Sequence, residues 1–314
     1  MLRFIVRRVL VMVPILLGIS LVMFVLLRVV PGDPAVMALN VYATPERVAE
    51  LRALWGLDRP IVEQYGIFLA QLAHGDLGYS YFYKQPAISL VLERLGPELT
   101  LIASTVVLTL LIGVPLAAVA AVNRDRAADN SIRALMIVGL GLPAYWIGIV
   151  LLLAFGIWIP ILPVGGYGDT LVGHLRSLIL PSLTIALGLA PLIIRALRAS
   201  MIETLEADHV DMARSKGLPR ARVFRRHVLR PALIPAVTVL GINVGLLIGS
   251  TVIVEYVFGI PGLGLLMINA ITSRDYPTVV AVTLVFALFV MLVNLLTDVL
   301  VAFLDPRARA SMAV

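Results

Sequence analysis

The chain has 314 residues, 60% of them hydrophobic and only 14% charged, with a mean hydropathy of +1.00. A soluble domain carries nearer a quarter charged residues, so the composition excludes a soluble globular protein and indicates an integral membrane one. The formal net charge is +6 and there is no Cys, which removes disulfides and thiolate metal sites. His74, His174, His209 and His227 all lie outside the long apolar runs, so intramembrane haem or zinc chemistry lacks its usual ligands. Lysine occurs only at Lys84 and Lys216, neither in a Gly-Lys-Ser/Thr context, so no phosphate-cradling loop is present and any ATP hydrolysis belongs to another chain.

Apolar stretches of about 20 residues predict six spanning helices. The first is Val9 to Leu27; Arg3, Arg7 and Arg8 precede it, but it is too long for a signal h-region and reads as an anchor. The second, Leu99 to Val122, carries no charge. The third begins near Ala134 and fades at Pro160 and Pro163. The fourth, Ser177 to Ile194, is short and contains Pro181 and Pro191. The fifth runs from Pro231 to Val254, and the sixth from Tyr276 to Thr297 with Asp298 near its end.

Between the first two spans the sequence predicts a small helical insertion. Thr44-Pro45-Glu46 offers a capping hydroxyl and Pro at the first helical position, for a helix carrying Leu51, Leu54 and Trp55 and stopping at Gly56. Asp58 and Pro60 open a second helix with Ile61, Tyr65, Phe68, Leu69 and Leu72 on one stripe, ending at Gly75, and Gly75-Asp76-Leu77-Gly78 is a turn. The predicted organisation is 1–30 for the N-terminus and first span, 31–98 for the external helical loop, and 99–314 for a five-helix core containing a polar loop at 195–230.

Basic residues fall in alternate connections: Arg3, Arg7 and Arg8; Arg124, Arg126 and Arg133; nine between Arg195 and Arg230; then Arg307 and Arg309. The connections opposite hold only Arg176 and Arg274 apart from the long 31–98 loop. With six spans all four basic segments share one side, which is cytoplasmic, as are both termini.

The polar loop is the most distinctive segment. Val210, Ala213 and Gly217 follow an i, i+3, i+7 spacing, and Met212, Lys216 and Arg220 repeat beside them at four-residue steps. Gly217 suits the left-handed residue that ends a helix, and small Ala213 suits close approach by another surface. Two readings stand on this pattern alone: an element that grips a partner, or a solvated amphipathic helix whose glycine is only a cap. Elsewhere, Asn243, Ser250 and Thr251 on the fifth span are either pathway lining or helix-packing contacts. Pro261, Gly262 and Gly264, bracketed by Glu255 and Asp275, form either an external gate or an ordinary loop. Asn294 and Asp298, one turn apart near the end of the sixth span, read as structural, with a role in translocation as the alternative.

These motifs together resemble one family. They are Pro31-Gly32-Asp33-Pro34; Gly56-Leu57-Asp58-Arg59-Pro60; His74-Gly75-Asp76-Leu77-Gly78; Ala213-Arg214-Ser215-Lys216-Gly217 with Pro235 eighteen residues on; Phe258-Gly259-Ile260-Pro261-Gly262-Leu263-Gly264; Arg274-Asp275-Tyr276-Pro277; and Leu304-Asp305-Pro306-Arg307. The order and spacing are similar to the first permease subunit of the dipeptide, oligopeptide and nickel ABC importers.

The resemblance implies an all-α, six-helix type I importer permease in the cell (inner) membrane of a bacterium or archaeon. It implies a second homologous permease chain, two ATPase subunits that bind ATP and Mg, an external substrate-binding protein, and membrane lipid as surroundings. No cofactor, metal, catalytic residue or nucleic-acid partner is expected of this chain. It assigns the ATPase-coupling loop to Glu206, Ala207, Val210, Met212, Ala213, Arg214, Lys216, Gly217 and Arg220. Where general importer permeases have Glu-Ala-Ala, this chain has Asp211-Met212-Ala213, with Glu206-Ala207 upstream. Peptides are the default cargo, with nickel or glutathione as alternatives. The competing class, a secondary transporter or channel, would show charged relays in mid-span or internal repeats.

Overall fold

The computed structural model describes residues 2–29, 34–39, 42–80 and 82–304. The termini beyond it, with Arg307 and Arg309, and most of the Pro31-Gly32-Asp33-Pro34 motif lie outside the described residues. The chain divides into two compact units, 95–265 with 289–314 and the first five residues, and 6–94 with 266–288.

The second unit contains most of the first long helix, α1 (Leu2–Val29), then α2 (Pro34–Leu39), α3 (Pro45–Leu54) and α4 (Ile61–Ala73). Thr44 caps α3 through its side chain, which accepts from the Arg47 amide at 3.4 Å, and Gly56 follows with φ +65°. Part of the expected stripe on α4 packs inward, with Phe68 and Leu72 joining Leu77 around a core of Met23, Val280 and Leu284, whereas Ile61 at the start of the helix is exposed. Tyr65 donates to the Leu17 carbonyl at 3.1 Å and its ring lies tilted against that of Phe24, 5.1 Å between centroids, which ties α4 to α1. Gly75 (φ +78°) ends the segment, and Asp76 Oδ1 accepts from the Gly78 amide. A two-stranded hairpin not foreseen in the sequence follows, β1 (Tyr79–Ser80) against β2 (Gln85–Pro86).

The larger unit is built around α8 (Leu171–Leu205), the most enclosed of the long apolar helices described. Against it pack α6 (Ala127–Gly141), α7 (Ala144–Leu152) and α11 (Arg230–Phe258), with Leu180, Ile193, Leu197 and Met201 fully buried in the common core. The helix α5 (Ala87–Val122) contributes Leu101, Ala117 and Ala120 to the same core. At 36 residues α5 is about 54 Å long, and α8 nearly matches it. Both exceed the roughly 30 Å apolar layer. The helices therefore extend beyond the expected spans at 99–122 and 177–194, beginning earlier at Ala87 and Leu171. Hydropathy marks only the lipid-facing part of a helix, whereas the backbone hydrogen bonds continue into its polar ends.

Five described helices are long and apolar enough to cross a membrane, and the number rises to six if a bent pair is counted as one span. That pair, 127–141 with 144–158, corrects the expectation of one continuous third span from Ala134: it begins at Ala127 and turns by 102° at Leu142-Pro143. Leu142 is extended (φ −94°, ψ 129°), as a residue preceding proline prefers. Proline alone does not decide the bend, since Pro181 and Pro191 sit inside α8. The carbonyl that Pro191 frees is that of Leu187. A Cβ on Gly139 would lie 3.5 Å from it and 3.3 Å from Pro191, so the glycine makes room for the irregular turn.

Helix α13 (Tyr276–Leu304) closes the described chain and follows α12 (Leu263–Thr272). Asp275 precedes its N-terminus, and its Oδ2 accepts from the Thr278 hydroxyl at 2.6 Å and the Ser80 hydroxyl at 2.5 Å. In the larger unit Gly241 of α11 meets Thr297 of α13 so closely that a Cβ would fall 2.0 Å from the threonine hydroxyl.

Candidate functional site

The polar loop folds as a short helix, α9 (Asp208–Ser215), directly after α8. Asp208 and Asp211 occupy its first turn and Arg214 its last, which suits the helix dipole. Gly217 has φ +76° with open space where a side chain would be, so it is the backbone conformation that favours glycine there. After it, α10 (Arg220–Val223) and a π-helical stretch at 224–229 run without a break into α11.

Burial divides the residues that share the loop's spacing. Val210 and Ala213 point into the chain's own core, with Val223 and Val228 in the same cluster. The close approach at Ala213 is thus made by this chain and not offered outward, because an amphipathic helix buries its small and apolar stripe first. The outward face carries Met212, 58% exposed, with Arg214, Lys216 and Arg220. Ala207 caps α9 through its extended backbone, and Glu206 ends α8 and pairs with Arg124. Arg214 pairs with Asp211 at 3.0 Å.

A second device sits behind the loop and was not visible in the sequence. Asp129 of α6 is fully buried and accepts from Arg198 of α8 in a two-pronged contact, 2.6 Å to Nε and 2.5 Å to the terminal nitrogen. Its Oδ2 also accepts from the Asp125 amide, fixing a residue with φ +60°. The fork geometry is the one in which Arg and carboxylate bind most specifically.

The Pro261-Gly262-Leu263-Gly264 segment is anchored from below by two carboxyl groups. Glu98 of α5 accepts from the Leu263 amide at 3.1 Å and from Thr251 at 3.2 Å. Glu255 of α11 accepts from the Leu265 amide at 2.8 Å. Both side chains are almost completely buried. Each glycine is required by contact: a Cβ on Gly262 would lie 2.3 Å from the Glu255 carboxyl carbon, and one on Gly264 2.5 Å from the Val252 Cα. Pro261 stays exposed. The sequence placed Glu98 just outside the second span and Glu255 merely beside a loop. The available signal was the rarity of acids next to long apolar runs, which marks them as paired or functional.

The three residues considered for a pathway behave differently. Thr251 is buried and committed to Glu98 and the Ile248 carbonyl; Asn243 is half-buried and donates to Val239 on its own helix; Ser250 is half-buried. Thr251 thus has a packing and hydrogen-bonding role within this chain. Among the described residues no group of three or more His, Cys, Asp or Glu side chains is placed to hold a metal.

A long-helix bundle with an exposed amphipathic helix at one end and a carboxyl-anchored turn elsewhere has counterparts among known proteins. Residues 113–310 match the family described as "Binding-protein-dependent transport system inner membrane component", and residues 1–103 match that family's N-terminal component. A Brucella ovis protein provisionally named a peptide permease is 38% identical over 99% of this chain and all of its own length. The Escherichia coli glutathione transport system permease is 33% identical over 98% of this chain and 99% of its own length. An inward-facing structure of the MetNI methionine ABC transporter superposes with a TM-score of 0.57 at 17% identity, covering 69% of this chain and 97% of that one; that likeness speaks for the fold. With helices, loop and full-length relatives in agreement, the chain belongs to the binding-protein-dependent transport system inner membrane components, the multi-pass permease subunits of ABC importers.

Proposed function

We propose that this chain forms half of the translocation pathway of an ATP-driven importer of peptides. Cargo comes from an external substrate-binding protein, and two ATPase subunits bind ATP and Mg on the cytoplasmic side. A second homologous permease completes the pathway. The observation that carries this reading is end-to-end similarity to proteins named as peptide permeases, together with a glutathione permease, whose named cargo is itself a tripeptide. The proposed organisation remains 1–30, 31–98 and 99–314, with 31–98 outside and the termini inside. Reporter fusions after Asp129 and after Arg222 are expected to be cytoplasmic and one at Asp76 external; a cytoplasmic Asp76 reporter would refute the orientation.

The ATPases engage α9 through its outward face: Met212, Lys216 and Arg220, flanked by Glu206, Arg214 and the Gly217 turn. Val210, Ala213 and Ala207 seat that helix on the bundle, so ATPase movement reaches α8 and α11 through rigid packing. Pro261, Gly262 and Gly264 form the external gate segment, and Asn243 and Ser250 face the pathway. A Met212→Glu, Lys216→Glu double variant changes only exposed side chains, so insertion and thermal stability should match the parent. Co-purification of the ATPases, and their hydrolysis stimulated by cargo-loaded binding protein, should fall at least tenfold, about 1.4 kcal/mol of contact. Gly217→Val should weaken both less, since it forfeits roughly 1 kcal/mol of backbone freedom and meets no clash. Parent-level co-purification and stimulation by the double variant would remove α9 from the coupling role.

A further inference from the structure

Within the unit of residues 6–94 and 266–288 lies a cavity of about 1420 Å3, walled by α1, α4, the β1–β2 hairpin and the turn between α12 and α13. Its floor is apolar, with Phe24, Phe68, Leu77 and Val280. Its lining also holds Arg52, Asp58 and Asp76, the last accepting from the Gly78 amide, and several of its other charges are already committed. Arg28 donates to Gln64 and lies 3.8 Å over the Phe24 ring, Arg59 pairs with Glu63 at 2.8 Å, and Asp275 accepts from Ser80 and Thr278.

Two lining cations are different. Lys84 and Arg274 are exposed, and among the described residues neither has a carboxylate partner. Both have left-handed backbone, φ 55° and 56°. Neither side chain offers the local hydrogen bond that lets Asn or Asp occupy that region readily, so each turn is held there by its surroundings. The holding contacts are visible. Ser80, in the hairpin with Lys84, donates to Asp275, the neighbour of Arg274, at 2.5 Å in a buried contact. Gly78 approaches Pro277 so closely that a Cβ would lie 3.1 Å away. The two turns are thus fastened together, and both bring a cation to the same cavity.

We propose that this cavity receives peptide cargo, with Lys84 and Arg274 holding its terminal carboxylate and the apolar floor accepting its side chains. The proposal rests on the peptide reading above and adds a recognition site on the external insertion. Cation pairs fixed on rigid turns suit carboxylate binding because charge-assisted hydrogen bonds gain most where no reorganisation is needed.

The test uses the full chain in phosphatidylcholine nanodiscs and a trialanine probe bearing a benzophenone photolabel. The free acid should label cavity peptides about tenfold more than the same probe as its C-terminal amide, the ratio expected for one charge-assisted contact. A Lys84→Gln, Arg274→Gln variant should lose that preference, and Lys84→Arg should keep it. Equal labelling by acid and amide, or an unchanged preference in the double variant, overturns the proposal. So does labelling that shows no acid preference but is displaced by phosphatidylglycerol, which would mark a lipid-headgroup site. Trialanine uptake by the complete importer is followed separately: uptake without acid-selective labelling sinks this site alone, whereas absence of uptake for every peptide tried sinks the peptide reading.

Discussion

Arg198→Met should destabilise the chain more than any change on its exposed surface. Asp129 is completely buried, and both of its oxygens are held by the Arg198 guanidinium at 2.6 and 2.5 Å. Removing the arginine deprives the carboxylate of its forked partner, a loss of about 1.5–3 kcal/mol for a hydrogen-bonded charge, against a typical total of about 5–15 kcal/mol. The loss is no larger because the Arg198 side chain is itself part-exposed and water can reach the site. The detergent-purified variant should show a clearly lowered unfolding midpoint and reduced monodisperse yield. Arg198→Lys keeps the charge but loses the fork, and should fall between. Adding Asp129→Leu to Arg198→Met should restore much of the loss, because a matched apolar pair removes the uncompensated charge. Recovery stays incomplete, since the Asp125 amide loses its acceptor. Glu206→Gln gives the contrast: its pair with Arg124 is exposed on both sides, where ion pairs contribute about 0–1 kcal/mol. Equal midpoints for Arg198→Met and the parent would show that this pair does not hold α6 to α8.

Gly262→Val should abolish transport while leaving the chain in the membrane. The new Cβ would sit 2.3 Å from the Glu255 carboxyl carbon and 2.5 Å from both of its oxygens, none of which has free space. Either the carboxyl moves and the Leu265 amide loses its 2.8 Å contact, or the 261–265 turn lifts away. Overpacking costs about 1–3 kcal/mol, and a lost hydrogen bond to a charged or strongly polar group about 1.5–3 kcal/mol. Gly264→Ala should behave similarly, because its obstacle is the Val252 backbone at 2.5 Å, which cannot rotate aside. Pro261→Ala, at an exposed position, should be mild. Wild-type uptake and stability for Gly262→Val would separate the segment from gating.

What was legible in the sequence were features with a local cause. Thr44 before Pro45, Gly56, Gly75 and Gly217 mark helix ends through backbone conformations that neighbouring residues dictate, and each appears where its chemistry places it. The stripe of Tyr65, Phe68 and Leu72 follows from helical period alone. The illegible features are pairwise. Pro143 stands at the break between α6 and α7, while Pro191 sits inside the continuous α8, where Gly139 of another helix packs against it. Asp129 and Arg198 lie 69 residues apart, and nothing in either neighbourhood names the other. Ala213 shows the same limit from another side. Its small size signalled close contact correctly, but spacing on one helix cannot say whether the other surface belongs to this chain or to a partner.

The most direct test is uptake into proteoliposomes containing this chain, the second permease and the two ATPases, with the binding protein and labelled trialanine outside. Accumulation should require ATP inside, the binding protein outside and this chain, and should vanish with Met212→Glu, Lys216→Glu in this subunit. ATP-independent accumulation by this chain alone would contradict the assignment and mark it as a channel or secondary transporter.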